Sequence, residues 1–143
     1  MRGEIEFDHV CFSYPDHPEK TIIHDFSAHV APGQKVAIVG PTGAGKTTMV
    51  NLLMRFYDLD GGDIRIDGIS TKDMSREEVH GLFGMVLQDT HLFTGTVMEN
   101  IRYGRLDATD EEVIAAAKAA CADHFIRTLP GGYQMELNED ASN

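Results

Sequence analysis

The sequence is poor in basic residues. It holds 12 Lys and Arg against 23 Asp and Glu in 143 residues, which gives a net charge of −11. The basic residues are scattered along the chain rather than clustered. Because a protein that binds nucleic acid needs clustered Lys and Arg to neutralise phosphates, we expect no nucleic-acid partner. The hydrophobic content of 42% and the length suit one globular domain with one core.

Cysteines and long apolar runs are also scarce. Cys11 and Cys121 are the only cysteines, and neither has a companion at metal-ligand spacing. This usage is typical of a reducing, cytosolic compartment. No apolar run approaches the length needed to cross a bilayer, and the first residues lack the apolar segment of a signal peptide. We therefore expect these residues to be soluble by themselves, which leaves open a membrane part elsewhere in the same polypeptide.

One short segment carries a specific chemistry. Residues 40–47 read Gly-Pro-Thr-Gly-Ala-Gly-Lys-Thr and fill the pattern G-x-x-x-x-G-K-[ST]. Residues 35–39 predict a short buried strand before it, and residues 48–55 predict a helix after it. A glycine-rich loop in that position directs backbone N–H groups and the helix dipole at one place. Such a place suits a polyphosphate.

The residue types in this loop predict separate tasks. Gly43 and Gly45 allow positive φ and a close approach of the backbone to a ligand. Lys46 is expected to reach the β- and γ-phosphates as a point charge. The Thr47 hydroxyl is expected to hold Mg²⁺, a hard cation that prefers oxygen ligands. The segment predicts nucleotide binding and leaves open what the nucleotide is used for.

The rest of the chain predicts a mixture of strands and helices. The first 30 residues contain apolar residues in approximate alternation, which indicates extended strands. Ser75 and Glu78 fit a capping box, so a helix should begin there. The further elements that the pattern predicts are strands over residues 64–66 and 84–87 and helices over residues 75–82, 96–102, 110–122 and 124–129.

Three further motifs narrow the kind of nucleotide site. Residues 12–15, Phe-Ser-Tyr-Pro, lie upstream of the loop on a β-rich segment. Gln88 lies downstream, at the end of a predicted strand. Between them stand residues 55–58, Arg-Phe-Tyr-Asp, and residues 61–68, Gly-Gly-Asp-Ile-Arg-Ile-Asp-Gly. This order and spacing resembles the nucleotide-binding domain of ATP-binding-cassette (ABC) transporters, most closely the exporter type.

The resemblance implies a fold class and an organisation. The fold is α/β: the first half of a P-loop NTPase core, with an N-terminal antiparallel β subdomain and the start of an α-helical subdomain. The implied boundaries place the antiparallel β portion and the first core strand in residues 1–39. They place the P-loop core in residues 40–95 and the beginning of the helical subdomain in residues 96–143.

The resemblance also implies site residues, cofactors and partners. Tyr14 matches the aromatic residue that stacks on adenine, and Gln88 matches the glutamine that contacts Mg²⁺ and senses the membrane domain. Residues 92–101, with Phe93 exposed, match the segment that faces the transmembrane domain. ATP and Mg²⁺ are the implied ligands, and a second nucleotide-binding domain is an implied partner. The implied nucleotide-binding residues are Tyr14, Thr42, Gly43, Ala44, Gly45, Lys46, Thr47, Thr48 and Gln88, with Thr47 and Gln88 on the metal.

The implied protein is an ATPase that couples ATP binding and hydrolysis to substrate export, on the cytoplasmic side of the cell membrane. The family's signature motif, catalytic glutamate and switch histidine do not occur in these residues, and Glu139 matches the acidic residue shortly before the signature. We expect these residues by themselves to bind nucleotide without turnover, with Lys46 and Gln88 contributing to an incomplete catalytic site. Two alternatives stay open: a soluble ABC-type ATPase in DNA repair or translation, and an incompletely folded fragment that self-associates.

Overall fold

A four-stranded antiparallel sheet organises the first part of the chain. The computed structural model describes residues 2–43, 45–87 and 91–138. It separates into two compact units, Met1–Met85 and Val86–Asn143. In the first unit the strand order is β2-β1-β3-β4, and the strands are β1 (Ile5–Ser13), β2 (Thr21–Val30), β3 (Gly61–Ile66) and β4 (Ile69–Ser70). The predicted N-terminal antiparallel β portion is therefore present.

A β-bulge explains why the apolar alternation of β1 is irregular. Phe7, Val10 and Phe12 are all buried, although the spacing between the first two is three residues. The pairing register of β1 with β2 shifts between Phe7 and Val10, where His9 has a φ of +49°. The extra residue moves the following side chains back to the core face of the sheet. Gly62 of β3 has a φ of +76°, and a Cβ there would lie 2.2 Å from the His9 carbonyl oxygen, so this position admits only glycine.

One helix packs on this sheet and begins within the predicted phosphate-binding segment. Helix α1 (Lys46–Leu53) begins within the predicted loop and places Met49 and Leu52 in the same core as the sheet. A short 3₁₀ turn (Thr71–Asp73) and helix α2 (Arg76–His80) follow β4. The capping box predicted from the sequence is formed, because the Glu78 N–H donates to the Ser75 hydroxyl and the Ser75 N–H donates to the Glu78 carboxylate.

The second unit is mainly helical. Its helices are α3 (Val97–Arg102), α4 (Asp110–Ala119) and α5 (Asp123–Thr128), and two short strands, β5 (Gly95–Thr96) and β6 (Glu136–Leu137), pair with each other. The helices agree with the predicted ones apart from their ends. A separate core holds them together, formed by Val97, Met98, Ala108, Val113, Ala117, Ile126 and Tyr133.

Two predicted strands are corrected by the structure. Residues 35–39 and 84–87 lie in neither a strand nor a helix. Their side chains are largely exposed, with Val39 86% and Val86 94% accessible. A β-strand is stable only when a neighbouring strand pairs with its backbone N–H and C=O groups. Within the described ranges no strand lies beside either segment, so apolar composition alone does not make them strands.

Candidate phosphate-binding site

The predicted loop ends in a sharp left-handed turn that opens α1. Gly45 is the N-cap of the helix, with a φ of +86°, and Gly43 has a φ of +83°. Both lie in the region that glycine adopts at no steric cost. A Cβ on Gly45 would lie 2.9 Å from Cδ1 of Ile23 and 3.2 Å from Cγ2 of Ile22. The loop therefore uses glycine at position 45 for two reasons, its backbone angle and its closeness to β2.

Among the described residues, no side chain binds the N–H groups in the first turn of α1. Gly45 supplies no capping hydrogen bond, and the first turn contains no acidic residue. The first N–H groups of any helix lack partners within the helix, and the helix dipole makes this end positive. Helices α2, α3 and α4 have capping boxes at this position, formed by Ser75 and Glu78, Thr96 and Glu99, and Thr109 and Glu112. Helix α5 also lacks a side-chain cap but has Asp123 in its first turn, so α1 combines an uncapped start with no acidic residue, which agrees with the predicted anion site.

Lys46 reaches back over the loop that precedes it. Its ammonium donates a hydrogen bond of 2.8 Å to the Pro41 carbonyl oxygen and a second one to the Gly40 carbonyl oxygen. The lysine is half-buried. Its three donor hydrogens can exchange carbonyl oxygens for phosphate oxygens as hydrogen-bond acceptors.

The two threonines after the lysine point to different environments. Thr47 is exposed, so its hydroxyl is accessible to a bound cation and water. Thr48 is only 5% accessible and is one of two buried polar residues in the described parts of the chain. Thr42, in the loop, is exposed, and Ala44 lies outside the described residues. An exposed hydroxyl beside a polyphosphate site is a suitable oxygen ligand for Mg²⁺, which keeps most of its other ligands as water and phosphate oxygens.

Tyr14 lies next to the first turn of α1, although 34 residues separate it from Thr48. The two hydroxyls share a hydrogen bond of 2.7 Å. The Tyr14 ring also makes edge-on contacts with Phe12 and Tyr57, at centroid distances of 5.0 Å and 5.2 Å. The tertiary fold therefore brings the predicted base-stacking residue to the same turn that carries the predicted phosphate-binding groups.

Two residues that support Tyr14 were not assigned a role from the sequence. The Asp60 carboxylate accepts a hydrogen bond of 2.6 Å from the Ser13 N–H, and the Asp60 N–H donates to the Cys11 carbonyl at 3.0 Å. Tyr57 supplies one of the ring contacts. Tyr57 lies in a segment that carries the family resemblance and Asp60 lies between two such segments, but nothing in their local pattern indicates that they fold against the end of β1.

An aromatic cavity of about 420 Å³ adjoins these residues. Tyr14, Tyr57 and Phe56 contribute rings to it, and Asp58, Asp60 and Arg76 contribute charge. The Arg76 guanidinium lies 3.4 Å from the Asp58 carboxylate, so part of this charge is paired.

The predicted partner-facing segment is partly described. Phe93 is 49% accessible, as expected, and its ring lies 4.5 Å from that of Tyr103. The Phe93 N–H donates to the Asn100 side-chain oxygen at 2.8 Å, and the Asn100 side-chain NH₂ donates back to the Phe93 carbonyl at 2.9 Å. This pair of bonds holds the segment against α3. Gln88 and Glu139 lie outside the described residues, so their placement stays a prediction.

Within the described ranges, no helix is both long enough and apolar enough to span a bilayer. The same ranges contain no group of three or more His, Cys, Asp or Glu side chains that could hold a metal ion by themselves.

Comparisons with known proteins agree on one family. The model of the ABC transporter family matches residues 23–138. A protein of Mycobacterium bovis named as a fatty acid ABC transporter ATP-binding/permease protein is 51% identical over the whole chain, which covers 22% of that protein. A protein of Aspergillus fumigatus named as the mitochondrial iron-sulfur clusters transporter atm1 is 50% identical over 96% of the chain, which covers 19% of that protein.

A solved structure supports the same conclusion. The structure of a bacterial Atm1-family ABC exporter with ATP bound aligns with 98% of this chain and 24% of its own, with a TM-score of 0.86 and 44% identity. The α/β fold class is confirmed by this match. The chain spans about a fifth to a quarter of the length of these relatives. Since these relatives are named as transporters, one of them as an ATP-binding/permease protein, the alternative of a soluble ATPase in DNA repair or translation is not favoured. The loop, the uncapped helix, the aromatic residue beside it and these matches together show that the chain belongs to the ABC transporter family.

Proposed function

We propose that this chain is the ATP-binding part of an ABC exporter, which couples the binding and hydrolysis of ATP to export of a substrate across a membrane. The observation that carries the proposal is the first turn of α1. It is uncapped, it begins at a left-handed Gly45, and the Tyr14 hydroxyl is bonded to it. Phosphate groups and an adenine ring would thus find their binding groups side by side. The proposal assigns no cargo, because the relatives are named for different ones.

The nucleotide would be held in three places. The loop backbone, including Thr42, Gly43 and Ala44, and the first N–H groups of α1 would receive the phosphates. Lys46 would move from the Pro41 carbonyl to the β- and γ-phosphates, and the Tyr14 ring would stack on adenine through its face. The N–H group of Thr48 belongs to the same turn.

A bound Mg²⁺ would neutralise charge on the phosphates. Thr47 fits it, because its hydroxyl is exposed at the start of α1, and Gln88 would be the second side chain on the ion. Isothermal titration calorimetry of the full-length protein with ATP, with and without Mg²⁺, tests this assignment. We expect Thr47→Val to weaken the Mg²⁺-dependent part of ATP binding and to leave the Mg²⁺-free part unchanged.

Two partners are proposed. Residues 92–101 and Gln88 would face a transmembrane domain, and a second nucleotide-binding domain would cover the nucleotide, on the cytoplasmic side of the membrane. The exposed Phe93 supports the first partner, because Asn100 holds the Phe93 main chain while the Phe93 ring stays about half accessible.

The proposed coupling can be tested in the full-length protein reconstituted in vesicles. We expect Phe93→Asp to retain ATP binding and to lose ATP-driven transport. Phe125→Asp is the matched control, because Phe125 is also an exposed ring of the second unit, 65% accessible, but lies on α5. Equal transport by wild type and Phe93→Asp would contradict the proposed partner surface.

A further inference from the structure

The contact between Tyr14 and Thr48 links the base-binding and phosphate-binding parts of the proposed nucleotide site. Thr48 is the third residue of α1, so its N–H belongs to the turn that would bind phosphate. Its side chain is buried, and its hydroxyl shares a hydrogen bond with the Tyr14 hydroxyl. We propose that the Thr48 hydroxyl is a positioning group for the Tyr14 ring, and through it for the adenine base. This inference rests on the proposed function.

The ring contacts alone leave Tyr14 incompletely fixed. Phe12 and Tyr57 meet it edge-on, with interplanar angles of 79° and 89°. Such contacts favour perpendicular rings but act between apolar surfaces and have broad energy minima. The hydroxyl lies at the far end of the ring, where a small rotation about the Cα–Cβ bond produces the largest displacement. A hydrogen bond at that point therefore restrains the ring more than contacts near its base.

Thr48 is well suited to hold the hydroxyl. Its side chain is β-branched, which restricts its rotamers in a helix, and it is 5% accessible. A buried hydroxyl without a partner would lose its hydration without compensation. In the described parts of the chain no buried side-chain polar atom is left without a hydrogen bond. Among the described residues, the bond to Tyr14 is the one that satisfies the Thr48 hydroxyl, so the bond is favoured from both sides.

The backbone next to Tyr14 is restrained independently. The Asp60 carboxylate holds the Ser13 N–H at 2.6 Å, directly before the tyrosine. The main chain is thus fixed from the β3 side and the tip of the ring from α1. Loss of the Thr48 hydroxyl should release the tip while the backbone stays in place, so the effect should be confined to the base end of the nucleotide.

The test compares two ligands in the full-length protein by titration calorimetry: Mg-ATP and inorganic triphosphate with Mg²⁺, which has no base. Thr48→Val removes the hydroxyl and keeps the shape. We expect it to weaken ATP binding about threefold to tenfold, the effect of one hydrogen bond, and to leave triphosphate binding within about twofold. Thr48→Ser, which keeps a hydroxyl, should recover most of the lost ATP affinity.

Tyr14→Phe removes the other half of the same bond and keeps the ring. We expect it to match Thr48→Val in its loss of ATP affinity, and the double variant to be no weaker than either single variant, since both remove one interaction. Tyr14→Phe also keeps the inference testable if Thr48→Val does not fold. Like Thr48→Val, Tyr14→Phe should lower the affinity for ATP and leave the affinity for triphosphate unchanged.

Three outcomes would overturn the inference. An equal loss of ATP and triphosphate affinity in Thr48→Val would mean that Thr48 acts on the phosphates directly. Additive losses in the double variant would mean that the two hydroxyls act separately. If the wild-type protein binds triphosphate with the same affinity as ATP, Tyr14 has no role in binding adenine, and its proposed function is wrong. The first two results leave the proposed function intact, so the failures are distinguishable.

Discussion

The Lys46 ammonium donates a hydrogen bond of 2.8 Å to the carbonyl oxygen of Pro41, five residues before it in the chain. The Lys46 side chain is therefore bonded to the backbone of the loop that precedes it. The same group is proposed to hold the terminal phosphates of ATP, so ligand binding exchanges carbonyl partners for charged ones. Hydrogen bonds between two charged groups are the stronger kind, which favours the exchange.

The first prediction concerns this lysine. Lys46→Ala should weaken ATP binding about tenfold to a hundredfold, because charge-assisted hydrogen bonds to the phosphates are lost. Lys35→Ala is the matched control, since it removes the same charge from an exposed position outside the loop. Calorimetric titration of both variants with ATP checks the prediction. Similar affinities for the two variants would show that charge at this end of the protein, and not the position of Lys46, governs binding.

The second prediction separates the two reasons for glycine at position 45. Gly45→Ala should lower the free energy of unfolding by about 1–2 kcal/mol through its positive φ, and by about a further 1 kcal/mol through contact with Ile23. Gly33→Ala should lower the free energy of unfolding only through its positive φ. Gly33 has a φ of +74°, and no atom lies within 4 Å of an added Cβ.

Urea unfolding of the two glycine variants measures the difference between them. If Gly33→Ala is as destabilising as Gly45→Ala, the close approach of the loop to β2 contributes nothing to stability.

The third prediction concerns acid stability and the capping box of α2. Hydrogen bonds from the Ser75 N–H and the Ser75 hydroxyl lower the pKa of Glu78 below its usual 4.5. A lowered pKa in the folded state means that ionised Glu78 stabilises the protein fully above about pH 4.5. This stabilisation is lost as the pH falls through the lowered pKa.

Melting temperatures measured from neutral pH down to about pH 3 test the acid dependence. We expect Glu78→Gln to melt lower than wild type at neutral pH and to approach it in acid. Glu77→Gln should keep the wild-type profile, because Glu77 lies in the same first turn but leaves the Ser75–Glu78 bonds in place. If the melting temperatures of Glu78→Gln and wild type differ by the same amount at every pH, ionised Glu78 is not the source of the acid dependence.

The fourth prediction concerns a charge cluster on the sheet. The Arg65 guanidinium lies 3.2 Å from both the Glu6 and Asp8 carboxylates and 3.1 Å from that of Asp63. Arg65→Met would leave these carboxylates close together without a cation. We expect a lower free energy of unfolding than in the wild type, with most of the loss recovered at high salt, where repulsion is screened.

Urea unfolding at low and high salt checks this result. Arg76→Met is the control, because Arg76 contacts one carboxylate, that of Asp58. Its effect should be smaller and nearly independent of salt. An Arg65→Met deficit that does not change with salt would mean that lost packing, and not repulsion, destabilises the variant.

Much of the local structure could be predicted from the sequence, because it depends on neighbours in the chain. The capping box of Ser75 and Glu78 joins residues three positions apart, so the pattern alone locates the start of α2. The acidic first turn and alanine-rich body of α4 are also local features, and they predict that helix from the sequence. Residues 35–39 and 84–87 show the limit. Their apolar composition predicts buried strands, but a strand also requires a partner, which a local pattern does not specify.

The sequence by itself was enough to predict a phosphate-binding loop, since its glycines, lysine and threonine act through backbone angles and charges that adjacent residues supply. It also indicated the family, through the order and spacing of motifs. Only the tertiary structure decided that the Tyr14 hydroxyl bonds Thr48 and that Asp60 holds the backbone of Ser13. These contacts join residues that are 34 and 47 positions apart, and they form because β1, β3 and α1 bury their apolar faces in one core.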